Sequence, residues 1–166
     1  RHFKEKIMKR RELFSSLVSS FKKEEKQEKV LRPPYYENEN IFFTNCKDCE
    51  GLCATVCEEN IIFIQADFTP KLDLSSSGCT YCDECANICP NTVLNIENKK
   101  HIDAKMEIDI LSCLSWNKTM CFSCKDPCLD NAIDFLAMFR PSINSNCTSC
   151  GFCIKSCPTN AIKIIS

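Results

Sequence analysis

Sixteen cysteines in 166 residues, gathered into four short runs, constrain this chain more than anything else in it. The last run is the most regular: Cys147, Cys150, Cys153 and Cys157, followed by Pro158. Three thiolates at such intervals wrap one small inorganic cube, and the fourth cysteine, set apart and followed by proline, reaches toward a second cube. Cys79, Cys82, Cys85 and Cys89, with Pro90, repeat this pattern. In the first run, Cys46, Cys49, Cys53 and Cys57, one extra residue separates the second and third cysteines, Glu58 replaces the proline, and a bulge is expected at Glu50-Gly51. The third run is the most altered. Cys113 stands eight residues before Cys121, Cys124 and Cys128 follow, and the long loop holds the only tryptophan, Trp116. A cysteine content this high also marks disulfide scaffolds, but neighbours with only two or three residues between them are too close for a normal disulfide framework.

The chain repeats itself beyond the cysteines. After Cys57 come Asn60, Ile61, Ile62 and Ile64; after Cys89, Thr92, Val93, Leu94 and Ile96. After Cys128 come Asn131, Ala132, Ile133 and Phe135; after Cys157, Asn160, Ala161, Ile162 and Ile164. A polar residue closing a helical turn, then an apolar stretch entering a strand, is the local pattern of a ferredoxin half-unit. Ile41-Phe42-Phe43 and Met106 to Ile110 read as strands leading into the first and third runs. The expected fold class is α+β: two tandem bacterial-type 2[4Fe-4S] ferredoxin-like lobes with an N-terminal helical arm. Residues 41–99 and 102–166 form the lobes, each of two strand–loop–helix–strand halves, and residues 1–40 form a basic arm and a Pro-containing linker. Lobes of about 60 residues bury little apolar surface. The clusters are therefore expected to be the core, and the metal-free chain to be largely unfolded.

Because the fourth cysteine of such a run usually serves the other cluster, the runs predict four [4Fe-4S] clusters with crossed ligand sets. These are Cys46, Cys49, Cys53 and Cys89; Cys79, Cys82, Cys85 and Cys57; Cys113, Cys121, Cys124 and Cys157; and Cys147, Cys150, Cys153 and Cys128. A fold pairing the outer runs and the inner runs would exchange the fourth ligands, and the short gap between the second and third runs leaves it open. Structural zinc prefers two separated cysteine pairs around one tetrahedral ion and suits these triplets less well. Loop N–H groups are expected to face the cluster sulfides. Gly151 suits close backbone approach, and Phe122 and Phe152 are read as shields against water.

The net charge of −1 hides a division: residues 1–32 hold eleven Lys/Arg and five Asp/Glu, which makes them +6 and the remainder −7. The acidic body favours a partner with a basic docking face, and glutamates interspersed in the basic arm give no support for nucleic-acid binding. Leu13, Phe14, Leu17, Val18 and Phe21 recur at helical spacing, a stripe suited to partner contact. The Arg10-Arg11 pair is similar to a twin-arginine export signal, but serines interrupt the apolar stripe and Lys22-Lys23-Glu24-Glu25-Lys26 follows at once. Met8 reads as a natural start, with residues 1–7 upstream of it. Residues 22–40 read as a linker that Pro33 and Pro34 keep extended. No apolar run reaches the roughly 20 residues of a membrane helix, and reduced thiols favour the cytoplasm. No catalytic constellation stands out. His2 lies before Met8, and His101 reads as a solvated linker histidine between the lobes.

The order of the four runs, the widened third run Cys113-Leu114-Ser115-Trp116 before Cys121, the Arg10-Arg11 pair and the approach Arg32-Pro33-Pro34-Tyr35 together resemble the NapF-type ferredoxin family, over Met8 to Ser166. The extra residue of the first run departs from the family's regular spacing and bears on how that cluster is wrapped. The resemblance implies a cytoplasmic, non-enzymatic accessory protein of the periplasmic nitrate reductase system. Such a protein would bind the NapA-like catalytic subunit before export and assist loading of its iron–sulfur cofactor, with a membrane ferredoxin-type subunit as a further partner. Arg10, Arg11, Leu13, Phe14, Leu17, Val18 and Phe21 would then form a contact element. The alternative is an electron-transfer polyferredoxin linked to a membrane quinol-oxidising or other redox complex.

Overall fold

The computed structural model describes residues 29–165, so the expected arm helix and its contact residues lie outside the described residues. The elements run α1 (Asn40–Asn45), α2 (Leu52–Thr55), β1 (Ile62–Ile64), β2 (Pro70–Leu72), α3 (Glu84–Asn87) and a 3-10 turn (Ile96–Asn98). They continue with β3 (Lys105–Ile108), β4 (Ile133–Leu136), β5 (Phe139–Ile143), α4 (Phe152–Ser156) and β6 (Ile162–Ile165). The strands form three antiparallel pairs, β1 with β2, β3 with β6 and β4 with β5.

The C-terminal half is nested. β3 enters the third run and pairs with β6, which leaves the fourth, placing Met106 opposite Ile164 and Ile108 opposite Ile162. β4 and β5 form the inner hairpin, closed by Ala137 and Met138 at φ 50° and 67°. A two-residue hairpin turn needs positive φ, which normally selects Asn or Gly. Here Ala and Met bear that strain.

The N-terminal half keeps only the inner hairpin, β1–β2, with Ile62 opposite Leu72. Ile41-Phe42-Phe43, expected as a strand, belongs to helix α1. Asn38 Oδ1 accepts from the Asn40 N–H at 3.1 Å near its start, and the Cys46 N–H donates to the Phe42 carbonyl at 3.1 Å at its end. Only Phe42 is buried while Phe43 and Thr44 face outward, so the burial follows a helix rather than a strand's alternation. The stretch after the second run likewise turns into the 3-10 segment, where Asn95 Oδ1 accepts from the Glu97 N–H at 2.9 Å.

The place of an outer strand pair is taken by residues expected to be linker. Pro33, Pro34 and Tyr35 are fully buried, and Tyr36 nearly so. Leu31, Tyr35 and Pro34 carbonyls accept from the N–H groups of Leu72, Asn95 and Lys100 at 2.8, 2.8 and 2.9 Å. Two prolines can be buried here because they carry no N–H to leave unsatisfied. The Tyr36 ring packs 5.1 Å from that of Phe42, and the Tyr35 hydroxyl donates to Asp83 at 2.8 Å. With Ile61, Leu74 and Val93 these residues make the larger apolar core. The C-terminal core is built on Cys124, Ile133, Cys153 and Ile162.

The halves meet backbone to backbone. Cys79 N–H donates to the Cys150 carbonyl at 2.7 Å, and the Tyr81 hydroxyl donates to the Thr148 carbonyl at 2.5 Å. A Cβ on Gly78 would stand 2.6 Å from the Phe152 nitrogen, so only glycine permits this approach. No helix among the described residues is long and apolar enough to cross a membrane.

Candidate metal centres

Each cysteine run is shaped by backbone that few residue types adopt willingly. Asn60, Thr92, Asn131 and Asn160, each three residues beyond the last cysteine of a run, all have φ between 49° and 53°. Their N–H groups donate to the carbonyls of Cys57, Cys89, Cys128 and Cys157 at 3.0 to 3.3 Å. Asparagine tolerates this left-handed turn; Thr92, being β-branched, pays for it. The turn aims the next amides back at sulfur. Ala132 N–H donates to Cys128 Sγ and Ala161 N–H to Cys157 Sγ, each at 3.2 Å, and Leu94 N–H to Cys89 Sγ at 3.5 Å.

A second left-handed residue stands two positions before the third cysteine of three runs: Gly51, Asp83 and Gly151, at φ 73°, 67° and 94°. It starts the one-turn helix that carries Cys53, Cys85 or Cys153. The extra residue of the first run, Glu50, is therefore accommodated before Gly51 without displacing that helix. In the third run an asparagine holds the wide loop. Asn117 Nδ2 donates to the carbonyls of Cys113, Leu111 and Ile110 at 2.8, 3.1 and 3.3 Å, and the Trp116 Nε1–H donates to the Pro141 carbonyl at 3.0 Å. Nothing in the sequence pattern singles out Asn117, because its partners exist only once the loop is closed.

All sixteen cysteines are free thiols. Cys57, Cys79, Cys82 and Cys85 line one cavity; Cys113, Cys121, Cys124 and Cys157 line a second; Cys128, Cys147, Cys150 and Cys153 line a third. The remaining four are close enough to affect one another's ionisation: burial pushes the Cys53 thiol up to about 12, and Cys49, Cys89 and Cys46 push in the same direction. Burial likewise raises Cys46 to about 11, with Cys49 and Cys89 adding to it and Arg32 opposing. Burial raises Cys124 to about 11 and Cys153 to about 12, reinforced by their cavity neighbours. Cys157 is the exception. Burial raises it, but hydrogen bonds from the Ala161 and Thr159 amides and the Thr159 hydroxyl outweigh that and leave it below the ordinary thiol value.

Such thiols become thiolates when cations enter, and each thiol bound releases its proton. A single zinc ion would need its sulfurs about 2.3 Å from one point. Among the described residues no three Cys, His, Asp or Glu side chains converge to hold one ion. Four thiols spread around a cavity fit instead a cluster that presents one iron to each sulfur. Of the other residues singled out by sequence, Phe122 packs 4.8 Å from Phe135, and half-buried Phe152 lies against Gly78. Exposed His101 lines the cleft between the halves with Lys99, Lys100, Cys79 and Cys150. Arg10, Arg11, Leu13, Phe14, Leu17, Val18 and Phe21 fall outside the described residues.

Comparison with known proteins agrees with this chemistry. Residues 45–93 match the 4Fe-4S dicluster domain family, and residues 142–163 match the 4Fe-4S binding domain family. The ferredoxin-type protein NapF of Escherichia coli K12 is 32% identical over 137 residues, covering 80% of this chain and 82% of that protein. The ferredoxin-type protein NapF of Haemophilus influenzae is 33% identical over 155 residues, 90% of this chain and 87% of that one. The ferredoxin-type protein NapG of Escherichia coli K12 is 30% identical over 162 residues, 81% of this chain and 70% of that one. The chain therefore carries [4Fe-4S] clusters in ferredoxin-type domains.

Proposed function

The chain belongs to the NapF-type ferredoxin family, and from that premise we propose that it is a four-cluster, non-enzymatic accessory protein of the cytoplasm. Its task in this reading is to assist iron–sulfur loading of a NapA-like nitrate reductase catalytic subunit before export. Each half is a two-cluster lobe, with neighbouring runs exchanging their fourth cysteines. The three cavities lined by four thiols each, and the influence of Cys46, Cys49 and Cys89 on the ionisation of Cys53, support that grouping.

A bound [4Fe-4S] cluster supplies reversible one-electron storage. The residues around it supply the rest. Cys89, Cys128 and Cys157 are held by backbone N–H donors, burial shields Cys46, Cys85, Cys113, Cys124 and Cys153 from water, and the acidic body presents negative charge to a partner. The observation that carries the accessory reading is the reach of the likeness. A match over 90% of the chain extends past the described residues into 1–28, so it includes part of the arm as well as the cysteine runs.

An anaerobic pull-down against unexported catalytic subunit, with that subunit's cluster content measured before and after, tests the reading. Deletion of residues 8–31 should abolish both binding and loading. The second reading, an electron-transfer polyferredoxin serving a membrane redox complex, is favoured by one contact, the 2.7 Å hydrogen bond from Cys79 to Cys150 that joins the two halves. It replaces the first if the deletion leaves binding and loading intact while loss of one cluster stops electron flow to a membrane partner.

A further inference from the structure

Two cysteines each line two cavities. Cys79 shares one with Cys57, Cys82 and Cys85, Cys150 shares another with Cys128, Cys147 and Cys153, and both also line the cleft between the halves. The runs that carry them touch there. The Cys79 N–H donates to the Cys150 carbonyl at 2.7 Å, the short end of the amide–carbonyl range. Beside this bond the Tyr81 hydroxyl donates to the Thr148 carbonyl at 2.5 Å and accepts from the Ile102 N–H at 3.2 Å. Among the described residues no backbone hydrogen bond joins the first or the third run to a run of the other half.

The spacing of the runs agrees with this placement. The second and fourth are the regular ones, and each is tightly packed where it faces the other half. A Cβ on Gly78 would stand 2.6 Å from the Phe152 nitrogen, and one on Gly151 2.9 Å from the Leu74 side chain. Loops packed to that density leave no room for an added residue. The first run holds an extra residue, and the third is widened, with Leu111 and Met120 exposed beside its first two cysteines. The loops that depart from the regular spacing are those without a backbone bond across the seam.

We propose that Cys79 and Cys150 form the electron bridge between the halves, joining the second centre, held with Cys57, Cys82 and Cys85, to the fourth, held with Cys128, Cys147 and Cys153. The inference rests on the reading that neighbouring runs exchange their fourth cysteines, and it stands whether the chain serves cluster loading or electron transport. The route runs from the Cys79 sulfur down its side chain to the amide, across the hydrogen bond to the Cys150 carbonyl, and up that side chain to sulfur. Electron tunnelling falls off less steeply along bonded atoms, hydrogen bonds included, than across a gap. One electron leaves the reduced centre and enters the oxidised one; no bond is made or broken and no proton moves. Exchanged fourth cysteines join the first centre to the second and the third to the fourth. The four centres therefore follow the order first, second, fourth, third, with the two irregular runs at the ends.

The test is EPR of the anaerobically purified full chain, fully reduced with dithionite and recorded at two microwave frequencies, because splitting by a neighbouring spin does not scale with field. Cys82→Ser marks the second centre, Cys121→Ser the third and Cys147→Ser the fourth. Adding Cys82→Ser should change the splitting of the fourth centre's line and leave the third centre's line as it was; if Cys82→Ser loses its cluster outright, that splitting should vanish. The inference is overturned if the fourth centre's line is indifferent to the second, or if the third centre's line responds in its place. The bridge itself is read by kinetics. After mixing with less than one electron equivalent of dithionite per chain, freeze-quenched samples should show the electron redistributing between the marked second and fourth centres at a rate independent of protein concentration. Gly78→Ala, which presses on the Phe152 backbone, should slow that phase several-fold with iron content and final distribution unchanged. A rate that Gly78→Ala leaves alone, or one proportional to protein concentration in wild type, overturns the inference as well. Cys57→Ser should alter the same centre as Cys82→Ser. If it alters a different one, the exchange of fourth cysteines is wrong; if it alters the same one and the fourth centre does not respond, only the bridge is wrong. A failed pull-down would remove the accessory reading and leave these spectra untouched.

Discussion

In the C-terminal half, β3 and β6 close the outside and β4 and β5 fill the middle; in the N-terminal half only β1 and β2 pair, and Arg32 to Tyr36 stand where the outer strands would be. The substitution changes what holds each half together. Of the fourteen buried residues of the larger core, all but Ile102 and Met106 lie in the N-terminal half, Tyr35, Tyr36 and Phe42 among them, whereas the separate C-terminal cluster has four; each core includes two cysteines. A half that buries so little has to draw its stability from its metal centres. The other has an apolar core of its own.

The largest test of this contrast is to remove the iron. With a strong chelator under anaerobic reducing conditions, the C-terminal half should lose hydrogen-exchange protection throughout, including the β3–β6 pair. Amides around Ile61 and Leu72 should retain part of theirs. Equal loss in both halves would show that the larger apolar core adds nothing without metal, and full retention in both would remove the premise that the clusters are structural.

A smaller effect is expected from Phe42→Ala. Phe42 is fully buried between Tyr36 and the guanidinium of Arg32. Truncating a buried phenylalanine costs about 3–5 kcal/mol, so iron should leave the N-terminal half faster while its release from the C-terminal half is unchanged. Release that accelerates equally from both halves would mean that they unfold as one unit and that the contrast is only geometric.

The sequence announced the repeating parts of this structure and missed the parts that break the repeat. Asn60, Thr92, Asn131 and Asn160 stood out by offset alone, and each sits in the same left-handed turn; at three of the four, asparagine, which tolerates positive φ, leaves a visible mark. Ile41-Phe42-Phe43 misled for a physical reason: a short apolar run has no period long enough to separate strand from helix. Whether it pairs depends on a neighbouring edge. The prolines at 33 and 34 suggested an extended linker, yet their missing N–H is what lets them be buried without an unsatisfied donor. At the metal centres, cysteine positions were legible from spacing. Asn117 was not, since the three carbonyls it bonds are assembled from loop backbone.

The mildest test concerns the seam between the halves rather than either half. Gly78 does not need positive φ, so Gly78→Ala strains no backbone of its own, and its whole effect comes from a methyl group 2.6 Å from the Phe152 nitrogen and 2.7 Å from its ring. Because the first of these is backbone at the start of α4, rotating the ring away cannot relieve it. Overpacking of this kind costs about 1–3 kcal/mol. The 2.7 Å bond from Cys79 to Cys150 should lengthen, and exchange of the Cys79 amide should rise roughly tenfold for each 1.4 kcal/mol. Iron content in both halves should stay unchanged. Gly151→Ala is the sharper control, because its residue adds φ 94° to a contact 2.9 Å from Leu74 and should damage the fourth run itself. If Gly78→Ala releases iron as readily as Gly151→Ala does, the seam is part of each metal centre; if it frees only the Cys79 amide, the halves are separate structures held together by a replaceable contact.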